Sequence, residues 1–238
     1  STLAVLGDTG RYALRCRQHI SAFKYWLRLE NLPSGNLLKQ TYNIVHQLDN
    51  IGIKTWVTKL RVMLQNYDLE YLFHSNTLTA SDKLELFKDK VYSSYKELWM
   101  SSIQNLSKNP KLRTYSTFKT ELSVEKYLLC INEYSLRKYI SQIRLSSHRL
   151  KIEVGRHSRP KIPVDQRLCD FCQQINNNDI EDEIHFLIVC PLYAKHRDTF
   201  LCSISDHVIN FQSLNTKDKF IAIMNCDKTY VIYKLAKY

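Results

Sequence analysis

The sequence DKLELFKDKVYSSYKELWMSSIQNL, residues 82–106, contains the longest helical pattern of the chain and indicates its fold class. Its apolar residues recur at intervals of three and four, so they share one stripe of a helix. Asp82 and Glu85 have the spacing of a capping box, which predicts that the helix begins near Asp82. The dipeptide Asn109-Pro110 breaks the pattern. The stripe consists of Leu84, Phe87, Val91, Tyr95, Leu98 and Leu106.

The flanking sequence shows the same periodicity. Helices are predicted at about residues 11–30 and 36–47, around Trp56, and at about residues 124–145. The chain has only 5 Gly and 5 Pro, which argues against a many-turned β-sandwich or barrel and against a Gly-rich nucleotide-binding fold. We therefore predict a mainly α protein with a multi-helix body. The residues predicted to face its core are Cys16, Ile20, Phe23, Leu27, Leu38, Tyr42, Val45, Trp56, Leu60, Met63, Leu128, Ile131, Tyr139 and Ile143.

Beyond residue 145 the composition changes. Residues 149–155, RLKIEVG, alternate between polar and apolar types, which predicts one short strand and at most a β-hairpin. Shorter helices are expected afterwards, at about residues 193–204 and 220–224. The sequence thus predicts two domains: a helical domain over residues 1–145, and a domain over residues 146–238 with a basic segment, a cysteine-containing site and C-terminal helices.

Four potential metal ligands follow one another in the pattern C-x2-C-x12-H-x4-C, formed by Cys169, Cys172, His185 and Cys190. Three thiolates and one imidazole complete a tetrahedron around Zn²⁺, and four protein ligands leave no position open for water. The sequence therefore predicts a structural zinc site that stabilises a small C-terminal subdomain. Buried free thiols beside a core histidine, or a redox dithiol, are the alternatives, and Cys202 and His196 are substitute ligands.

The segment DIEDE, residues 179–183, lies between the second and third ligands of that pattern. One interpretation is a carboxylate cluster that binds Mg²⁺ in a nuclease. The preferred interpretation is a solvated acidic turn that favours the N-terminus of the helix carrying His185.

Positive charge is concentrated immediately before the cysteines. The chain has 34 Lys and Arg against 23 Asp and Glu, a net charge of +11, and residues 137–167 hold nine of the former against two of the latter. Such a balance predicts a phosphate-contacting surface for RNA or DNA. The alternative is a solvated face whose charges pair with acids elsewhere. The residues predicted to contact nucleic acid are Arg144, His148, Arg149, Lys151, Arg156, Arg159, Lys161 and Arg167.

The sequence also bears on location. No apolar run reaches the roughly 18 residues that a membrane span needs. The first residues, STLAVLGD, lack a charged n-region followed by a long h-region, so we expect that they are not a signal peptide. Seven scattered cysteines are typical of a reducing compartment. We expect an intracellular protein, nuclear and cytoplasmic, without a membrane partner.

Three blocks of the sequence resemble those of a known protein family. The first is GRYAL (10–14) with FKYWL (23–27), and the second is KLRTYSTFK (111–119) with EKYL (125–128). The third is RLSSHRLKIEVGR (144–156), which continues through RLC (167–169) to EDEIHFL (181–187) and CPLY (190–193). Together they resemble the C-terminal region of non-LTR (LINE-type) retrotransposon reverse transcriptases, downstream of the polymerase domain. The third block is the most specific, because a CCHC zinc knuckle is what this family carries near its C-terminus.

The resemblance implies a module that grips template RNA and target DNA during target-primed reverse transcription. By position, the four ligands match the family's zinc site, and residues 144–167 match the segment leading into it. No polymerase motif of the Tyr/Phe-x-Asp-Asp type and no endonuclease motif is present, so we expect no enzymatic activity from this chain. It is expected to be either a fragment, with a reverse transcriptase domain upstream in the same polypeptide, or a stand-alone descendant.

Three functions are therefore carried forward. The leading one is a non-catalytic module that binds RNA, DNA or both. The second is a protein–protein interaction or scaffold module derived from such an element. The third is a metal-dependent nuclease that uses Asp179, Glu181, Asp182 or Glu183.

Overall fold

The computed structural model describes residues 1–238 and is entirely helical, which confirms the predicted fold class. No sheet forms, and the only β-type pairing consists of two isolated bridges, Thr9 with Val124 and Leu168 with Ile180. None of the helices combines the length and apolar character needed to cross a bilayer. The helices are α1 (Thr2–Asp8), α2 (Leu14–Glu30), α3 (Leu37–Asn50), α4 (Trp56–Gln65), α5 (Tyr71–His74), α6 (Ala80–Gln104), α7 (Tyr115–Phe118), α8 (Lys126–Cys130), α9 (Tyr134–Arg144), α10 (Lys151–His157), α11 (Asp170–Gln174), α12 (Ala194–Ser205), α13 (Thr216–Met224) and α14 (Thr229–Lys237).

The chain forms two compact units. Unit 1 combines Ser1–Arg11 with Met100–Tyr238, and unit 2 is Tyr12–Trp99. The predicted boundary at residue 145 does not coincide with either junction between these units. The reason is a set of contacts between distant parts of the sequence, which no local composition change reveals.

A buried ion pair makes the first eleven residues part of unit 1. Asp8 accepts hydrogen bonds from Nε and Nη2 of Arg144, at 3.0 and 3.2 Å. The hydroxyls of Tyr115 and Tyr127 also donate to the Asp8 carboxylate, at 3.1 and 3.0 Å. Because a buried charge without partners is strongly destabilising, this network holds α1 against α7, α8 and α9.

Unit 2 has a core of its own, built from the apolar faces of α2, α3, α4 and α6. The predicted face of α2 is confirmed, with Phe23 buried in this cluster. The predicted face of α4 is confirmed for Leu60 and Met63 but not for Trp56, which is 37% exposed. Side chains cap the N-termini here: the Asn36 carboxamide accepts from Leu38 N–H, and the Thr55 hydroxyl accepts from Val57 N–H. These caps satisfy backbone donors that have no partner within the helix.

The longest helix differs from its prediction at both ends. Thr79 and Asp82 form the reciprocal cap, because the Asp82 carboxylate accepts from Thr79 N–H and the Thr79 hydroxyl accepts from Asp82 N–H. The helix therefore begins at Ala80, two residues before the start that the Asp82–Glu85 spacing predicted. Near its C-terminal end Leu98 and Leu106 are exposed, whereas Trp99 and Ile103 are buried.

The single helix predicted over residues 124–145 is instead two helices, α8 and α9, separated at residues 131–133. Ile131 fills the core at this break and is buried together with Tyr127 and Ile140. α14 packs against both helices and buries Ile232 and Ala236 in the same cluster. Tertiary packing against α14 thus overrides the continuous helical pattern.

The short strand predicted over residues 149–155 is wrong, because these residues belong mainly to α10. Their alternation does not define a buried face: Ile152 is buried, but Val154 is exposed. No neighbouring strand offers a ladder to this segment. Its first amides instead donate to Glu181, from Lys151 N–H to Oε2 at 2.8 Å and from Ile152 N–H to the backbone oxygen at 3.1 Å.

Candidate metal centre

The four predicted ligands lie on two short segments that the backbone brings together. Cys169 directly precedes α11, and Cys172 lies in its first turn. Asn176 ends that helix with a positive φ of 60°, a conformation that asparagine tolerates well. His185 is the first residue of the single π-helical turn His185–Val189, and Cys190 directly follows that turn.

Backbone hydrogen bonds fix the first segment against the chain that returns towards His185. Cys169 N–H donates to the Asp179 oxygen at 2.9 Å, and Glu181 N–H donates to the Arg167 oxygen at 2.9 Å. The isolated bridge between Leu168 and Ile180 lies between these two bonds. Backbone contacts alone therefore bring the two ends of this loop together.

The ligand atoms form a compact, buried group. Cys169 Sγ lies 3.9 Å from Cys190 Sγ, and Cys172 Sγ lies 3.4 Å from His185 Nε2. All four ligand atoms lie within 4.8 Å of one another. In a tetrahedral zinc site with bonds of about 2.3 and 2.1 Å, the ligand atoms of three sulfurs and one nitrogen are separated by roughly 3.6 to 3.8 Å. The structure thus shows a buried Cys3His cluster whose geometry can hold a metal ion.

The surroundings of the cluster disfavour a thiolate whose charge no cation compensates. Burial and the neighbouring Cys169 thiol raise the pKa of Cys172 to about 12, and burial also raises the pKa of the Cys190 thiol. All seven cysteines of the chain are free, so no disulfide competes for these sulfurs. The substitutes considered from the sequence, Cys202 and His196, are exposed and lie outside the cluster.

Asp179 and Asp182 orient the histidine ligand. The Asp182 carboxylate accepts from His185 N–H at 2.8 Å, and Asp179 Oδ2 lies 3.6 Å from His185 Nδ1. That Nδ1 atom is buried and has no hydrogen-bond partner. A histidine that binds metal through Nε2 commonly directs its other nitrogen at a carboxylate, which is the arrangement found here.

Glu183 corrects the interpretation of residues 179–183 as a solvated acidic turn. Its carboxylate is fully buried and accepts from the side chains of Arg113, Thr114, Ser146 and His148 at 2.6 to 2.9 Å. Burial alone would raise the pKa of Glu183, but His148 and Arg113 hold it at about 2. The sequence did not predict a structural role for Arg113, which also forms an ion pair with Glu153 at 2.9 Å.

Three of the eight residues predicted to contact nucleic acid have structural roles instead. Arg144 is buried against Asp8 and also donates to the Met224 oxygen at 2.6 Å. Arg167 is buried and donates to the Ile152 and Ile162 oxygens. His148 binds Glu183. Their internal partners leave these three side chains little access to a phosphate backbone, which charge along a sequence does not reveal.

The other five lie at or near the surface. Lys151 pairs with Asp170 at 2.9 Å, and Arg156 pairs with Glu153. The remaining three are exposed and form no ion pair: Arg149, Arg159 and Lys161, hereafter the exposed basic segment.

The geometry therefore brings all four predicted metal ligands together and leaves three of the predicted cations available to an anionic partner. It assigns the acidic residues between the ligands to structural contacts. The chain matches no protein-family model, no curated protein and no solved structure.

Proposed function

We propose that the Cys3His cluster holds a structural Zn²⁺ ion and that unit 1 binds nucleic acid beside it. Three sulfurs and one imidazole nitrogen are the donor set that structural zinc prefers, and their separations fit a tetrahedron. Four protein ligands leave no coordination position for water or substrate, so the ion stabilises the local fold without taking part in catalysis.

The observation that carries the binding proposal is the attachment of the exposed basic segment to the metal cluster. Glu181 holds α10 to the cysteine loop by accepting a hydrogen bond from Lys151 N–H. Arg167, two residues before Cys169, donates to the Ile152 oxygen in α10 and to the Ile162 oxygen. Ile162 N–H in turn donates to the Gly155 oxygen at 3.0 Å. Arg149, Arg159 and Lys161 are thus presented from a chain segment with fixed ends, which favours binding to a phosphate backbone.

The proposed function is a non-catalytic nucleic-acid-binding module, with RNA, DNA or both as partners. It is the role expected from the resemblance of residues 144–193 to the corresponding part of LINE-type reverse transcriptases. In that setting the chain grips template RNA and target DNA while a polymerase domain elsewhere in the polypeptide performs the chemistry.

Charge reversal of the exposed basic segment tests this proposal. We expect the full chain to bind a labelled 20-mer with an affinity that falls roughly 20- to 40-fold between 50 and 200 mM salt, as about three phosphate contacts dictate. The triple variant R149E/R159E/K161E is expected to lose roughly tenfold or more in affinity at 50 mM salt, together with the part of the salt dependence that these three contacts supply. Fluorescence anisotropy across a salt series measures both.

The matched control carries the same charge change elsewhere in unit 1. Lys108, Lys126 and Lys217 are exposed and form no ion pair, so K108E/K126E/K217E alters the net charge equally. If both triple variants weaken binding to the same extent, net charge alone explains the affinity and the exposed basic segment is not the binding surface.

A specific observation favours the scaffold function as a second candidate. Leu37, Ile44 and Ile51 recur every seven residues along α3 and its C-terminal end, and all three are largely exposed. Such an apolar stripe is typical of a helix that packs against another protein. If it does so here, light scattering detects self-association or a stable complex that Ile44→Lys abolishes. A monomer at all concentrations, with unchanged behaviour of the variant, removes the self-association form of this candidate.

The nuclease function receives no support from the geometry. Glu183 is fully buried, Asp182 caps the turn at His185, and Glu181 binds the amide of Lys151. Carboxylates that serve three separate structural contacts do not converge on a common point where Mg²⁺ could bind.

A further inference from the structure

Unit 2 carries a second cationic surface, remote in sequence from the metal cluster. One groove is lined by Arg15, Lys54 and Lys59 together with Trp56, and a neighbouring groove is lined by Lys24, Arg28 and Tyr25. No acidic side chain lines either groove. These seven residues are hereafter the α2–α4 strip.

The cations of the strip are not neutralised by their own unit. All five are exposed, and none forms an ion pair. The acids nearest to them in the sequence are engaged elsewhere: Glu30 pairs with Lys39, and Asp49 pairs with Arg61. The strip therefore keeps an uncompensated positive field that suits a polyanion.

Two exposed aromatic rings lie where the two grooves meet. Tyr25 is 47% exposed and Trp56 is 37% exposed, and their ring centroids are 6.2 Å apart. Core aromatics in this unit, by contrast, are almost completely covered, with Trp26 at 1%. Aromatic faces between cationic grooves are the arrangement with which proteins hold single strands: the cations follow the phosphates and the rings stack on unpaired bases.

We propose that the α2–α4 strip binds single-stranded nucleic acid, with phosphates in the two grooves and unpaired bases on Tyr25 and Trp56. A duplex fits less well, because its bases are already stacked and paired. An anionic membrane surface also attracts cations and aromatic rings, but the strip is concave and lined with polar side chains such as Thr58 and Asn66. The ligand class rests on the proposed function, but no residue of the strip belongs to unit 1.

Tryptophan fluorescence provides a direct test, because the chain has three tryptophans and Trp26 and Trp99 are both only 1% exposed. Titration of the full chain with a 12-mer of uridine RNA is expected to quench the emission of Trp56. The quenched component is expected to be absent from the Trp56→Phe variant. Tyr25→Ala is expected to weaken binding roughly 5- to 160-fold, the range found for loss of one base-stacking ring.

Charge variants separate this surface from the exposed basic segment of unit 1. K54E/K59E is expected to reduce the slope of log affinity against log salt by about 1.4, since two single-strand phosphate contacts are lost. The control K88E/K96E alters two lysines of α6 that form no ion pair, and is expected to leave the slope and the quenching unchanged. Circular dichroism checks that each variant remains folded.

The variant R149E/R159E/K161E makes failure of the two proposals distinguishable. Quenching of Trp56 by RNA in that variant supports the strip whether or not the unit 1 surface binds. Binding without any quenching in the wild-type chain overturns the strip proposal and leaves the unit 1 proposal standing. Equal quenching by a 12-bp duplex, or quenching by phosphatidylglycerol vesicles and not by RNA, overturns the assignment to single strands.

Discussion

At the scale of single residues, spacing revealed the four members of the Cys3His cluster, whereas burial decided the role of each charged side chain. Cys169 and Cys172 could be recognised because two intervening residues are the spacing that allows both sulfurs to reach one ion. Arg144 and Arg167 could not be distinguished from surface cations, because their carboxylate and carbonyl partners lie elsewhere in the sequence. Residues that neutralise or cap one another across a fold leave no local pattern.

Loss of a single ligand is expected to release the metal. Cys172→Ser and His185→Ala each remove one of four donors, so the purified variants should contain far less than one zinc per chain, whereas the wild-type chain should contain about one. Elemental analysis by mass spectrometry measures the ratio. The matched controls Cys202→Ser and His196→Ala alter exposed residues outside the cluster and should retain the metal. Full zinc content in either ligand variant would falsify the assignment.

At the scale of elements, helices with an unbroken apolar stripe were predictable and those shaped by a partner were not. α2 and α4 follow their sequence periodicity. α10 does not, because the Glu181 contacts and the side chain of Arg167 determine its conformation. The break between α8 and α9 likewise depends on α14, almost a hundred residues further along the chain.

Gly155 on α10 gives a test of that packing. A Cβ atom there would lie 2.8 Å from Cγ of Arg167, whose guanidinium is held by the Ile152 and Ile162 oxygens. Gly155→Ala is therefore expected to destabilise unit 1 by about 1–3 kcal/mol, the usual range for overpacking. Urea unfolding followed by circular dichroism measures the change. Gly35→Ala is the control: no atom lies within 4 Å of its Cβ position, so a neutral or slightly stabilising effect is expected.

At the scale of the whole molecule, the sequence predicted an α-helical protein, and its compact units are delimited at positions other than the change in composition. The composition change near residue 145 is real, yet the compact units meet at residues 11–12 and 99–100. The assignment of Ser1–Arg11 to unit 1 depends on Asp8 and Arg144, which are 136 positions apart. A contact of that span is invisible to periodicity, since periodicity reports only on neighbours along one element.

Removal of the metal is expected to affect the two units differently. All three tryptophans lie in unit 2, so their emission reports on that unit, whereas far-ultraviolet circular dichroism reports on helices of both. Because the cluster lies entirely within unit 1, a zinc chelator is expected to lower the main melting midpoint seen by circular dichroism by roughly 10 °C or more. The melting midpoint measured by tryptophan emission should not change. Added zinc should restore the midpoint measured by circular dichroism. A joint shift of both probes would mean that the two units unfold cooperatively.

The ion pair between Asp8 and Arg144 also sets an order for biosynthesis. Asp8 leaves the ribosome 136 residues ahead of its guanidinium partner, a delay of roughly 7 to 27 seconds at about 5–20 residues per second. Residues 12–99 are synthesised well within that interval. Unit 2 can therefore fold on the nascent chain while α1 still lacks its partner Arg144. Limited proteolysis of chains stalled before residue 144 should accordingly find residues 12–99 protected and the first helix open to cleavage, and protection of that helix at this stage would contradict the order.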